Sequence, residues 1–310
     1  MKRLIFLGFC FWVFSRNVLA AQGVTYGGPV GGTDIQNAYL PEPPGFYGSL
    51  IGVAARGDTF YDNSGKSSNM SVYLPGGISE FGLLYIYPFK LFGGTIGSSI
   101  ASGVSWGSIT VNGRRQSFKG FNDIYTDIFS WSKHIGSRSE AGVPRGLTVK
   151  LAYSMVIPVG KYNTTDLYTP GQNTFYYIPN AAITYLTGPN FLGDGLELSA
   201  HLFADIAGRN SKTQYKNGLV TDVDVAISEI IGKWQVGVAG YYARQIVDDQ
   251  LNGQLVPGGN RFANAAVGPV IAYNIPACKC SVKFKAQMSV FTRNSLAPNA
   301  AYLFINKAFM

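Results

Sequence analysis

The chain has 310 residues, of which 14% are charged and 14% aromatic, with 38 glycines. That is enough for one sizeable all-β domain, and nothing in it reads as a linker between two cores. Apolar residues make up 46% of the chain and yet mean hydropathy is barely positive, so apolar and polar residues must be finely interleaved, as in strands and unlike membrane helices. The basic residues are scattered, with no cluster interleaved with aromatics, so nucleic acid is not an expected partner.

At the N-terminus, Met1-Lys2-Arg3, an apolar run from Leu4 to Phe14 and Val18-Leu19-Ala20-Ala21 form the three parts of a secretory signal. Residues 1–20 are expected to be removed, leaving a mature chain that starts at Ala21 or Gln22. Cys10 does not read as a lipoprotein cysteine, because Phe9 stands where a small residue is wanted and the apolar run continues past it. Lys2, Arg3 and Arg16 leave with the signal, which takes 25 basic residues to 22 against 17 acidic ones, a mild net of +5. Beyond the signal no apolar run reaches the roughly 18 to 20 residues that a spanning helix requires. Export without such a helix points to the periplasm, the medium or an outer-membrane barrel.

Residues 21–44 are rich in Gly and Pro, which cannot pair centrally in a sheet; they form either a periplasmic tail or a plug inside a lumen. Twelve segments then read as strands: residues 45–55, 78–86, 93–106, 123–135, 146–158, 174–185, 195–206, 219–231, 234–245, 263–273, 281–291 and 300–309. The clearest places Leu196, Leu198, Ala200, Leu202, Ala204 and Ile206 on one face, with Glu197, Ser199, His201, Phe203 and Asp205 on the other. A soluble sandwich shows the same alternation, so the connections decide. Counted from the first strand, the odd connections are long and polar (residues 56–77, 107–122, 159–173, 207–218, 246–262 and 292–299). Most even ones are short (residues 87–92, 186–194, 232–233 and 274–280), with residues 136–145 the exception. An even strand number with long loops at one end and short turns at the other predicts a transmembrane antiparallel up-and-down β-barrel of about 12 strands over residues 45–310, in the outer membrane of a Gram-negative cell.

Aromatics near strand ends, among them Tyr85 and Tyr87, Tyr176 and Tyr177, Trp234, and Tyr241 and Tyr242, fit interfacial girdles. The last strand ends in Phe309, as such barrels commonly do, although Met310 follows it. Pro158-Val159-Gly160 ends a strand because Pro cannot donate to the ladder, and Gly268-Pro269 inside a strand predicts a bulge or bend. Cys278 and Cys280, the two cysteines left after the signal, form either a local staple or a pair of free thiols, and no metal site is expected at them.

Several stretches carry a resemblance to a known family: Leu40-Pro41-Glu42-Pro43-Pro44-Gly45-Phe46-Tyr47, Phe121-Asn122-Asp123-Ile124-Tyr125 and Ile157-Pro158-Val159-Gly160-Lys161-Tyr162. They continue with Gly171-Gln172-Asn173-Thr174-Phe175-Tyr176, Tyr215-Lys216-Asn217-Gly218 and Val267-Gly268-Pro269-Val270-Ile271-Ala272-Tyr273. In order and spacing they resemble the outer-membrane proteins or transporters labelled as meta-pathway phenol-degradation proteins, over about residues 26–309. The resemblance implies a pore or carrier associated with breakdown of aromatic or other hydrophobic compounds. It implies no catalytic residue.

The residues themselves offer little chemistry. His134 and His201 are the available neutral-pH bases, and His134, at a strand end, reads as a solvated surface residue. His201 shares a strand face with Ser199 and Asp205, but same-face neighbours two apart stand about 7 Å from one another, beyond hydrogen-bond reach. No phosphate loop and no paired His at ligand spacing is present, so neither cofactor nor metal is expected. If apolar faces meet lipid, Lys150, Glu197, Ser199, His201, Asp205, Asp222, Asp224, Lys283, Lys285 and Gln287 line a narrow lumen. The expected function is passive passage of small hydrophobic or aromatic solutes. The expected partners are those solutes, outer-membrane lipid and, during biogenesis, the barrel assembly machinery. Alternative readings are an outer-membrane lipid or ester hydrolase using His201, and a structural or adhesive barrel.

Overall fold

The computed structural model describes residues 25–137 and 145–309. The signal expected at residues 1–20, and most of the connection expected at residues 136–145, lie outside the described residues. The strands are β1 (Gly45–Tyr61), β2 (Ser67–Leu91), β3 (Gly94–Val111), β4 (Arg114–Phe121), β5 (Ile124–Ile135), β6 (Gly146–Ile157), β7 (Tyr176–Leu186) and β8 (Gly195–Ala207). They continue with β9 (Tyr215–Lys216), β10 (Val220–Ile231), β11 (Trp234–Gln245), β12 (Gln250–Leu251), β13 (Gln254–Leu255), β14 (Ala263–Ile275), β15 (Cys280–Arg293) and β16 (Ser295–Ala308).

Twelve of them form one antiparallel sheet in the order β2-β1-β16-β15-β14-β11-β10-β8-β7-β6-β5-β3, and β2 also pairs with β3, which closes the ring. Closure leaves no edge strand within the ring; β4, which pairs with β3 beyond it, is the edge of the sheet. The period of two explains which face is which. On β8, Leu198 and Leu202 are 45% and 54% exposed, whereas Glu197, between them and the turn end, is 0% exposed. Cross-strand register keeps the polar face continuous, with His201 opposite Asp224 and Glu197 opposite Ser228. Apolar side chains outside and polar ones inside is the inverse of a water-soluble sandwich and is stable only where the outside is hydrocarbon.

Three connections expected as polar loops are largely paired. β1 and β2 continue past residues 55 and 78 into a hairpin in which Arg56 opposes Pro75 and Gly57 opposes Leu74. Asp62 Oδ1 closes its tip by accepting from the backbone N–H of Ser64 and Lys66. Residues 107–122 form the β3–β4 hairpin, turning at Asn112 and Gly113 with φ of 47° and 83°, the Asn-Gly signature of a type I′ turn. Residues 292–299 reduce to one left-handed residue, Asn294, between β15 and β16. A strand that leaves the bilayer meets water on both faces, so it loses apolar alternation without losing its ladder; polarity there marks solvent and not the end of pairing.

Adjacent aromatics divide between the faces for the same reason. Tyr177 and Tyr242 point outward and are exposed, but Tyr176 and Tyr241 are buried inside, so only one of each pair can join a girdle. At Gly268-Pro269 the β14–β15 ladder is interrupted, passing from Val267↔Met288 to Val270↔Lys285. Pro269 has no N–H to give, and a Cβ on Gly268 would come within 1.9 Å of the Ala286 carbonyl oxygen. The turn after β14 is a single 3-10 helix, Pro276–Cys278, beside two free thiols, Cys278 and Cys280.

Candidate functional site

Inside the barrel, residues 25–44 run from the loop end to the turn end along the wall made by β7, β8, β10, β11 and β15. The wall's carboxylates hold the segment by its backbone. Gly27 and Gly28 donate to Asp205 Oδ2 at 3.1 and 2.7 Å. Gly31 donates to Asp224 Oδ1 at 2.9 Å, and the Thr33 N–H and hydroxyl donate to Asp224 Oδ2 at 2.8 and 2.6 Å. Further down, the Gln36 N–H donates to Glu197 Oε1 at 2.6 Å and the Ala38 N–H to Thr184 Oγ1 at 3.2 Å. Successive N–H groups meeting a carboxylate make a strong, directional contact. The glycines are needed for it: Gly31 has φ of 64°, and a Cβ there would lie 2.4 Å from the Tyr241 ring.

Lys285 and Lys283 complete the attachment. Both pair with Asp34, at 3.0 and 2.5 Å, and Lys285 also donates to the Gly31 carbonyl at 2.7 Å. Apolar contact adds to this, since Tyr26 and Val30 pack on the cluster of Val220, Tyr241, Ala243, Phe262 and Ala266. Asp222 is buried next to Asp224, and neither of its oxygens has a hydrogen-bond partner among the described residues. Gln287 is likewise buried with its amide unpartnered.

The remaining interior is a cavity of about 1540 Å³. It extends from Pro276, Lys279 and Lys307 at the turn end to Leu167, Tyr168 and Gln172 at the loop end. Its wall opposite the segment carries Ile51, Val53 and Ala55 of β1, Ile78 and Leu84 of β2, and Ala101 of β3, with the polar Ser49, Glu80, Ser99 and Ser105 among them. Of the ten residues named from sequence, Lys150, His201 and Gln287 line this cavity, while Glu197, Asp205, Asp224, Lys283 and Lys285 are engaged by residues 25–44. His134 is not a solvated surface residue. It lines the cavity, with Nδ1 at 2.9 Å from Thr148 Oγ1, because β5 alternation puts it on the face of Ser130 and Ser132.

His201 makes no hydrogen bond to Ser199 or Asp205. Its Nε2 lies 2.9 Å from Asn180 Oδ1, while Ser199 Oγ is 2.9 Å from Thr184 Oγ1 and 3.0 Å from Glu197 Oε1. The chain of polar contacts continues from Asn180 through Ser154 to Asp127, at 2.9 and 2.5 Å. Ser199, His201 and Asp205 therefore serve three separate contacts. Among the described residues no group of three His, Cys, Asp or Glu side chains is placed to hold a metal.

The loop end is covered by the β6–β7 connection, residues 158–175. Asp123 fastens it, accepting from the Gly160 and Gln172 N–H groups at 2.8 and 2.7 Å. Burial raises the Asp123 carboxyl above its ordinary range, and those two bonds act in the opposite direction. A small sheet of β9, β12 and β13 ties the neighbouring loops, with Tyr215 donating to Asp249 Oδ2 at 2.5 Å. Burial raises both of these groups as well. Sequence reasoning gave Asp123 and Asp249 no role, because neither stands on an alternating strand face. The repeated Gly-Gly pairs at Gly27-Gly28 and Gly31-Gly32 were the one available signal for the inner segment, since they mark backbone approached closely by something else.

A family model described as "Putative MetA-pathway of phenol degradation" matches residues 57–303. Among solved structures, an outer membrane channel from Pseudomonas putida F1 superposes with a TM-score of 0.72 at 14% identity, covering 89% of this chain and 100% of that one. The beta domain of the Bordetella autotransporter BrkA superposes with a TM-score of 0.51 at 10% identity, covering 85% of this chain and 99% of that one. At these identities the likeness is one of fold. No curated protein sequence matches the chain.

Proposed function

The chain belongs to that phenol-degradation family, and from this premise we propose that it is an outer-membrane channel passing small hydrophobic or aromatic molecules by diffusion. The observation that carries the reading is the division of the lumen. A backbone segment sheathes the charged wall, and the space beside it, about 1540 Å³ and reaching both ends of the barrel, is faced by small apolar side chains. A general porin for hydrophilic solutes would leave the charged wall wet. Here the carboxylates of Asp205 and Asp224 are engaged by residues 27–33, and a solute meets a wall of small apolar side chains interrupted by a few polar ones such as Glu80 and Ser99.

Residues 1–20 act as the export signal and residues 25–44 as a plug that narrows the lumen. Lys150, His201 and Gln287 line the passage, and Glu197, Ser199, Asp205, Asp222, Asp224, Lys283 and Lys285 form the wall that holds the plug. The outer face meets outer-membrane lipid, and insertion depends on the barrel assembly machinery. The protein is not an enzyme on this reading: His201 is bonded to Asn180 and has no nucleophile beside it. The outer leaflet's polar sugar layer slows hydrophobic solutes, so a route through it is measurable. Uptake of radiolabelled toluene by Gram-negative cells with and without the chain tests the proposal. Faster uptake with the chain supports it, and equal uptake with the protein folded in the outer membrane overturns it.

A further inference from the structure

Three lysines face inward at mid-barrel, and two of them, Lys283 and Lys285, are neutralised by Asp34 of the plug. Lys150 is different. It lies on the inner face of β6, lines the cavity, and has no hydrogen bond or ion pair among the described residues. A cation held at membrane depth without a partner is costly, and the cost is offset when an anion comes to it. The closest carboxylate along the wall, Asp127 on β5, accepts from Ser154 Oγ at 2.5 Å.

The surroundings leave room for such an anion. In the barrel register Lys150 stands between Ser132 on β5 and Ala182 on β7, so its two lateral neighbours are small. Ser132 is itself turned to the plug, donating to the Ala38 carbonyl at 2.5 Å. One strand beyond Ala182 comes His201, whose Nε2 is taken by Asn180. Lys150 therefore lines the cavity between small neighbours, and the wall of β3, β2 and β1, which begins two strands away across β5, presents Ile51, Val53, Ile78 and Ala101 beside the polar Ser49, Glu80 and Ser99.

We propose that Lys150 is a head-group subsite, taking the carboxylate of a small apolar monocarboxylate whose hydrocarbon body lies against the β1–β3 wall. The inference rests on the passage reading above and narrows it: the favoured solutes are amphipathic acids. A solute bound this way gains a charge-assisted hydrogen bond at one end and burial of apolar surface at the other, and it leaves again because the site holds it at one charged contact.

The test uses the full chain in cells and three probes that share a ring: radiolabelled benzoate, benzylamine and toluene. The expected result is that the chain speeds benzoate more than benzylamine by about tenfold, that Lys150→Met abolishes this preference, and that Lys150→Arg keeps it. Toluene, which carries no charge, reports passage itself in each protein, and the preference is read as the ratio of benzoate to benzylamine uptake. Heat-shifted gel mobility of the outer-membrane fraction verifies that each variant has folded, and the wild-type preference is informative without any variant. Toluene uptake with no preference for benzoate over benzylamine, or a preference that survives Lys150→Met, overturns the subsite and leaves the channel standing. Failure of every probe to enter faster than in cells lacking the chain overturns the channel and the subsite together.

Discussion

The two faces of β8 set what single substitutions can do. Leu198 points outward, so Leu198→Arg places a charge in hydrocarbon at a cost of about 2–4 kcal/mol near the midplane. We expect a smaller fraction of heat-shifted protein in the outer membrane. Ser199→Ala removes one hydroxyl from a buried cluster with Thr184 and Glu197 and should cost about 1 kcal/mol. A larger insertion defect for Ser199→Ala than for Leu198→Arg would invert the assignment of faces. His201 decides between passage and hydrolysis. Passage needs only a polar side chain of similar shape, so His201→Asn should leave toluene uptake within a few-fold of wild type. A general base would instead contribute about 10²–10⁴-fold to turnover. Esterase activity in the purified protein that vanished in His201→Asn would sink the channel reading. Alternation puts Ser199, His201 and Asp205 on one face, but which contact each makes could not be read from spacing. That depended on Asn180, Thr184 and the plug, all distant in the chain.

At the scale of elements, the plug is held by its backbone through a few wall carboxylates. Asp224 accepts three of those bonds, from Gly31 and Thr33, and removing one partner of a buried charged hydrogen bond costs more than its net worth. In a Val30→Cys background, where Val30 packs on the Tyr241 cluster, the thiol should react slowly with an impermeant maleimide. Adding Asp224→Ala should speed that labelling about tenfold or more. Unchanged labelling would mean that apolar packing alone seats the plug. The longer hairpins follow a related logic. The β1–β2 and β3–β4 ladders extend beyond the apolar belt, because once both faces are wet their backbone groups are still best satisfied by pairing. Composition alone had marked those residues as loops, although Asn112-Gly113 already carried a hairpin turn in its sequence.

For the whole molecule, a closed ring of twelve strands has no edge to fray. Residues 21–310 should therefore refold in detergent to a β-rich species whose gel mobility shifts only on heating. A helical circular dichroism spectrum would refute the barrel. Much of this was determined by the sequence alone: the strand number, the up-and-down order and the apolar outer face. Those features are local, each read from a run of about ten residues and its neighbours. Only the tertiary structure decided that residues 25–44 lie along the charged wall, that Asp205 and Asp224 hold them while Lys150 is left unpaired, and that an apolar channel remains on the other side. A Gly-rich segment has no periodicity to announce its place. Its position follows from hydrogen bonds to side chains up to 254 residues away, which exist only after the ring has closed.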